Sequence, residues 1–446
     1  MLQEPQEDRV RMSAEAAEAV SLAFAAVKRH LEQEISLKSA LYASYQEHEA
    51  RIRALRLARK MLHLYALGGY QASSLLRKLS RDKLDQDSVI LLSLLLCSIQ
   101  AGLNLGDPKE LVDALRRLMG RLWPKGVEPW IGMIRSIQSA GLGLQIRPGY
   151  QPWFIKLAAR VLGRAGAREL LRFQDENKPR TYVALNTLLA SPERILEEAE
   201  RGGVRLTPDR RLPGLYVLDH VEDTRSLISL TRRMLFLIQD LSSYYAVHAL
   251  DPRPGQRILD ICAAPGSKTI LAGIRMRNRG LIISMDSSTS RLRTHLRRVR
   301  GAGLRIVEDV VADATAPLPL NMEADAILLD PPCSSTGLFW REPIYRQMVK
   351  PRHIKMFARL QAKMLESSAP HVAKGGHIIY STCSISLEEN ELLIEDFLKL
   401  HPEFELVDLE PRLGMDGLRG LAEARRLYPH KDYCNGFFIA KLRRRW

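Results

Sequence analysis

Apolar positions along this chain change their period twice. Between residues 12 and about 140 they recur at helical spacing. Val20, Phe24, Val27 and Leu31 share one face, and Ile52, Leu55, Arg59 and Leu62 continue it with Arg and Lys between. Gly68-Gly69 is expected to close that segment, and Asp107-Pro108 to open another as N-cap and first helical residue. The run Val89 to Ala101 is broken by Ser93, Ser98 and Gln100; it is too short to cross a bilayer and reads as a buried helix. No strand-like alternation occurs here, so an all-α region of five to seven helices is expected.

Residues 140 to 250 are mixed. Gly141, Gly143, Pro148, Gly149 and Pro152 mark a linker, and Trp153 to Leu171 a helix. Thr181–Asn186 and Leu215–Leu218 look like short strands around a helix from Pro192 to Arg201. From 251 onward strands and helices alternate. The strands expected are Arg257–Ile261, Leu281–Met285, Arg305–Val311, Ala326–Leu329, His377–Tyr380 and Phe437–Lys441. Helices fit between them at Lys268–Met276, Ser290–Ala302 and Pro351–Ala369. That alternation predicts an α/β fold with a doubly wound, mostly parallel sheet. Three regions follow: 1–140 all-α, 141–245 a linker with a small α+β module, and 246–446 the α/β domain.

Composition adds little to the fold and something to the partner. The chain has 446 residues, 46% apolar and 26% charged, as in an ordinary globular protein. Lys and Arg exceed Asp and Glu by 66 − 51 = 15, which suits a polyanionic partner. The five cysteines, Cys97, Cys262, Cys333, Cys383 and Cys434, form no CxxC pair, so neither a zinc site nor a disulfide scaffold is expected. Met1 to Arg11 is charged and lacks an apolar run, so no signal peptide is expected and the location expected is cytoplasmic.

The chemistry sits at strand ends, where open α/β sheets bind ligands. Leu259 through Thr269 leaves a strand, turns on Cys262-Ala263-Ala264-Pro265-Gly266-Ser267 and enters a helix with Lys268. Small side chains there let a ligand approach the backbone. The loop is neither GxGxxG nor Walker A. Asp286 follows the next strand, 20 residues after Gly266, and suits a ribose diol; Asp313 follows the third and suits an adenine amino group. Together they imply a nucleoside-bearing cofactor. Asp330-Pro331-Pro332-Cys333-Ser334 and Ser381-Thr382-Cys383-Ser384 each put a cysteine just past an apolar strand. A lone cysteine there is ordinarily a small buried hydrophobe. Two in separate motifs point to chemistry.

The segments CAAPGSKT (262–269), DPPCSSTG (330–337) and YSTCSISLEEN (380–390), with Arg426-Leu427-Tyr428-Pro429-His430 and Gly436 to Lys441, resemble the Sun / RsmB-like family of RNA cytosine-C5 methyltransferases. The likeness is close over about 235 to 446 and looser over the linker module. It implies a Rossmann-like S-adenosylmethionine-dependent methyltransferase domain, with residues 12–140 compatible with the NusB-like domain of bacterial members. It implies Cys383 as nucleophile, Cys333 assisting elimination, Asp330 on the N3/N4 edge of the base and Lys268 steadying base or loop. Cofactor contacts would come from Cys262, Ala263, Ala264, Pro265, Gly266, Ser267 and Lys268, with Asp286, Asp313 and Asp330. The cofactor implied is S-adenosyl-L-methionine, the substrate ribosomal RNA or alternatively transfer RNA, with no metal and no membrane. A DNA cytosine methyltransferase needs no Thr-Cys partner, and a silent assembly factor would not need both thiols. Four arginine-rich stretches, at 275–279, 291–300, 341–352 and 443–445, are candidate phosphate contacts, with Trp340-Arg341 favoured.

Overall fold

In the computed structural model the described residues are 6–33, 40–41, 44–45, 52–80, 84–100, 103, 108–119, 123–124, 127, 131 and 149–446. They group into two units, one made of residues 1–155 with 342–348 and the other of 156–341 with 349–446.

Among its described residues the first unit is helical: α1 (Gln6–Gln33), α2 (Ile52–Ser80), α3 (Gln86–Gln100) and α4 (Pro108–Met119). Val20, Phe24 and Val27 of the expected face are buried with Leu76, Leu92, Leu95 and Leu115. Val89 to Gln100 of the apolar run lie in α3, the helix its composition implies, with Val89 through Cys97 buried. Gly68-Gly69 does not close its helix, which runs on to Ser80. Two glycines cost about 2 kcal/mol of helix propensity, and burial of Ala72 and Leu76 beyond them outweighs that. Asp107 and the expected linker residues 141–148 lie outside the described residues.

The second unit opens within α5 (Pro152–Glu176), at Lys156, and carries two sheets. The small one comprises β1 (Tyr182–Leu185), β2 (Val204–Pro208), β3 (Leu215–Val221) and β4 (Phe236–Ile238), antiparallel in the order β2-β3-β1-β4. Helices α6 (Pro192–Arg201) and α7 (Thr224–Arg232) belong to it; Ser191 caps α6 by accepting from the Arg194 amide. Both β2 and β4 escape the sequence reading, being short and weakly alternating. The helix α8 (Leu241–Leu250) is buried nearly all round, so it shows no amphipathic period. Tyr182, Leu212 and Leu215 of the module share one core with Leu241, Tyr245 and Ile270.

The large sheet holds β5 (Arg257–Ile261), β6 (Leu281–Asp286), β7 (Val307–Val311), β8 (Ala324–Leu329), β9 (Val372–Thr382), β10 (Phe404–Val407), β11 (Met415–Asp416), β12 (Arg425–Leu427) and β13 (Phe437–Arg444). Its order is β11-β12-β13-β9-β8-β5-β6-β7, with β10 on β13. Pairings from β7 through β9 are parallel; those of β13 and beyond are antiparallel. Helices α9 (Ser267–Arg275), α10 (Thr289–Gly301), α12 (Pro351–Ser368) and α13 (Glu391–Leu400) accompany this sheet; the short α11 (Tyr345–Met348) belongs to the first unit. The central strands are apolar on both faces. Ile258 and Leu328 enter one core, and their neighbours Leu259 and Ile327 the other. The polar ends of β5, β6, β8 and β9 therefore share the sheet's carboxyl edge.

Candidate active site

At the end of β5 the chain must reverse from strand to helix within a few residues. Gly266 does this at φ 101°, and a Cβ there would meet the His295 ring at 2.8 Å. Pro265 is exposed, Ala263 and Ala264 are buried, and Ser267 Oγ accepts from Arg298 at 3.1 Å. The Cys262 thiol turns away, 3.8 Å from the Met364 sulfur, and burial pushes it up to about 12. Only its backbone faces the turn. Beneath the loop, Asp260 is buried and accepts from Thr269 Oγ at 2.6 Å; burial pushes its carboxyl up to about 7.

Asp286, at the end of β6, has a side chain 2% exposed. Its Oδ1 accepts from the Ser288 amide at 3.0 Å, while the buried Oδ2 has no hydrogen bond and only the Arg291 guanidinium at 3.2 Å. Arg291 also donates to Ala264 O at 2.6 Å. An unsatisfied buried carboxylate oxygen beside a turn of small residues fits a ribose hydroxyl. Asp313 is exposed, and its own loop satisfies one oxygen through the Thr315 amide and hydroxyl, at 2.9 and 2.8 Å.

The thiol side is built across the sheet. Cys333 and Cys383 follow adjacent strands β8 and β9, and their sulfurs lie 3.0 Å apart. Asp330 accepts from Lys268 Nζ at 2.5 Å and from Ser381 Oγ at 2.9 Å. Burial opposes a charge on Lys268, but Asp330 outweighs it and the ammonium is held above its ordinary value. The Cys333 thiol is pushed well up, first by its hydrogen bond with Cys383 and then by burial. Gly337 lets the loops close. Its amide donates to Cys383 O, its carbonyl accepts from the Gly436 amide, both at 2.9 Å, and a Cβ there would overlap Gly436 O. Cys434, in the same closing segment, is buried.

The structure thus brings Lys268, Asp330, Cys333 and Cys383 together and places Asp286 beside the cofactor loop. Ser381, which orients Asp330, and Asp260 lie within the quoted motifs, but their residue types alone assign them no role. The arginines fare differently. Arg346 is 1% exposed, under the Tyr150 ring, so burial removes it from the expected phosphate contacts. Arg341 is held by Asp240 at 3.0 Å and by Arg180 O at 2.6 Å, and Arg443 and Arg445 both pair with Glu405. Arg293, Arg297 and Arg300 stay exposed along α10.

The chain is similar to known methyltransferases. The model of the 16S rRNA methyltransferase RsmB/F family matches residues 247–443. The Bacillus subtilis (strain 168) "Probable ribosomal RNA small subunit methyltransferase B" is 29% identical over 72% of this chain and 75% of its own length. The Pyrococcus horikoshii tRNA (cytosine(72)-C(5))-methyltransferase is 34% identical over 56% of this chain and 60% of its own. The crystal structure of PH0851 superposes with a TM-score of 0.76 at 25% identity, over 99% of both chains. A methyltransferase homolog protein from Pyrococcus horikoshii gives 0.59 at 30% identity, over 66% of this chain and 96% of that one.

Proposed function

Because the chain belongs to the RsmB/F family of S-adenosylmethionine-dependent RNA cytosine-C5 methyltransferases, we propose that it methylates a cytosine of ribosomal RNA through a covalent bond from Cys383 to C6. The observation that carries this reading is the pair of thiols 3.0 Å apart beside the Lys268–Asp330 ion pair. C5 of cytosine is a poor nucleophile. Addition of the Cys383 sulfur to C6 makes C5 enamine-like and able to take a methyl group. When bound, S-adenosylmethionine supplies that methyl as an electrophile, held by the Cys262–Lys268 loop with Asp286, Asp313 and Asp330.

Cys333, kept protonated by its surroundings, donates to the Cys383 sulfur before attack. Water takes the C5 proton, the freed electron pair re-forms the C5–C6 double bond as the C6–S bond breaks, and the Cys333 thiol hydrogen-bonds the departing Cys383 thiolate, which assists elimination. Asp330 meets the N3/N4 edge of the base, and Lys268 holds Asp330 in place. Arg277, Arg279, Arg293, Arg297, Arg300 and Arg352 are the exposed arginines of the arginine-rich stretches that are offered to phosphates. In this reading residues 1–140 form a NusB-like RNA- or protein-binding domain, 141–245 a linker and module, and 246–446 the catalytic domain. The setting is cytoplasmic; among the described residues no helix is long and apolar enough to cross a membrane.

Transfer RNA is the second reading, favoured by the name of the Pyrococcus relative. The test is labelled methyl transfer to total RNA from cells lacking the gene, with the new 5-methylcytosine mapped. Cys383→Ala should abolish transfer and leave cofactor binding within about twofold. Cys333→Ala should accumulate a denaturant-resistant protein–RNA adduct. Full activity in Cys383→Ala overturns the nucleophile assignment, and a target in transfer RNA decides between substrates.

A further inference from the structure

Behind the two thiols lies a carboxylate that the mechanism above does not use. Glu389, in the loop between β9 and α13, is completely buried. Its Oε1 accepts from three hydroxyls: Ser334 at 2.5 Å, Ser384 at 2.6 Å and Ser386 at 2.9 Å. Its Oε2 accepts from the Ser334 amide at 2.8 Å and from Gln361 Nε2 at 3.0 Å. Ser334 directly follows Cys333, and Ser384 directly follows Cys383. One side chain therefore grips the residue next to each thiol. Gln361 extends the grip, donating also to Pro332 O at 2.9 Å, just before Cys333. Tyr380 closes the back, its hydroxyl 3.1 Å from Gln361 Oε1 and 2.7 Å from Glu389 O.

A buried carboxylate is expensive unless a cation accompanies it. Two residues on, Glu391 is just as buried and has one, Arg426. Among the described residues Glu389 has no such ion pair, only neutral donors. A fold needing only shape here would be served by an apolar side chain or an amide. Five donors, four of them from the two thiol loops and the fifth Gln361 of α12, point instead to a carboxylate that sets the relation of those loops.

We propose that Glu389 is a positioning residue for methyl transfer: acting through Ser334 and Ser384, without touching substrate, it fixes the two thiols at bonding distance. The inference rests on the two-thiol reading above and deepens it. Its charge works in the same direction. The Cys333 thiol is held up first by the hydrogen bond to Cys383 and by burial, and the negative charge of Glu389 adds to them. The proton therefore stays on Cys333.

The experiment measures thiol proximity without RNA. The full chain is treated with diamide, which takes two protons and an electron pair as Cys333 and Cys383 join. The disulfide is followed by peptide mass spectrometry in native protein, Glu389→Gln, Glu389→Ala and Ser384→Ala, with methyl transfer and Tm measured in parallel. Glu389→Gln keeps the volume; its disulfide should form at least about tenfold more slowly and its kcat fall about 100-fold. The KM for S-adenosylmethionine should change less than about twofold. Native disulfide and methylation rates in Glu389→Gln overturn the proposal. Should both Glu389 variants prove too unstable to assay, Ser384→Ala removes one arm of the grip. It must show the same slowing, and a native rate there overturns the proposal equally. If native protein methylates no RNA yet its thiols join in a Glu389-dependent way, the functional reading fails and the grip stands. Normal methylation with Glu389-independent joining removes the grip alone.

Discussion

On the side of the large sheet proposed to hold the cofactor, Asp286 and Asp313 are each fixed by their own loop. Asp286 is met by the Ser288 amide and Asp313 by the Thr315 amide, each two residues on. On the thiol side the partners are far apart in sequence. Cys333 meets Cys383 across 50 residues, Ser334 meets Glu389 across 55, and Arg426 meets Glu391 across 35. A consecutive βαβ unit carries its acids ready made. Two thiols on neighbouring strands must be brought together by contacts that only the finished fold supplies. Damage to the cofactor side should therefore be local and graded, and damage to the thiol side large and shared.

The strongest way to break this contrast is at Arg426. Its guanidinium is buried, makes two bonds of 2.5 Å to Glu391, and donates to Ile385 O and Tyr428 Oη at 3.0 Å. Ile385 lies two residues past Cys383. Arg426→Met removes the cation and leaves Glu391 buried without its counter-charge, which should cost about 3–5 kcal/mol. Urea unfolding at pH 7 measures it. A loss below about 1 kcal/mol would show that the thiol side is not held at long range.

That contrast also explains what was legible in the sequence. The strands β5, β6, β8 and β9 could be read from apolar runs ending in acids or cysteines, because a strand buried on both faces advertises itself locally. The acids of the cofactor side could be read by counting from Gly266. The antiparallel edge β10 to β12 could not, since its strands are two to four residues long; β10 and β12 take their pairing from β13, and β11 takes its own from β12. Nor could Glu389: within Leu387-Glu388-Glu389-Asn390 nothing separates it from Glu388, which pairs with Arg160. Arg341 and Arg346 misled for the same reason. Their charge is visible in the sequence, whereas Asp240, 101 residues away, and the Tyr150 ring are not.

Asp260 sharpens the contrast, being an acid buried to 3% exposure beneath the Cys262–Lys268 loop. Burial raises its carboxyl to about 7, against about 3.9 in an unfolded chain. The folded protein keeps a proton there that the unfolded chain releases. The stability this contributes is complete below about pH 4, is lost progressively as pH rises to about 7, and changes no further above that. Asp260→Asn, which needs no proton, should remove that component. Denaturation midpoints at pH 5 and pH 7.5 should therefore differ less in the variant than in the native protein. Equal differences would show that Asp260 is ionised throughout.

The smallest effects test whether the cofactor side is graded. Asp286→Ala removes a buried acceptor with one unsatisfied oxygen and should weaken S-adenosylmethionine binding about tenfold or more by calorimetry. Asp313 is exposed, and its loop holds its carboxyl below the ordinary value, the Thr315 amide first and the Thr315 hydroxyl next. A group so well solvated exchanges one set of partners for another when a ligand arrives, so Asp313→Ala should weaken binding by less than about threefold. Thr315→Val, which removes only the hydroxyl that steadies Asp313, should change it less still. If Asp313→Ala matched Asp286→Ala, burial would not be what ranks these acids, and the loops after β6 and β7 would have to act on the cofactor as one unit.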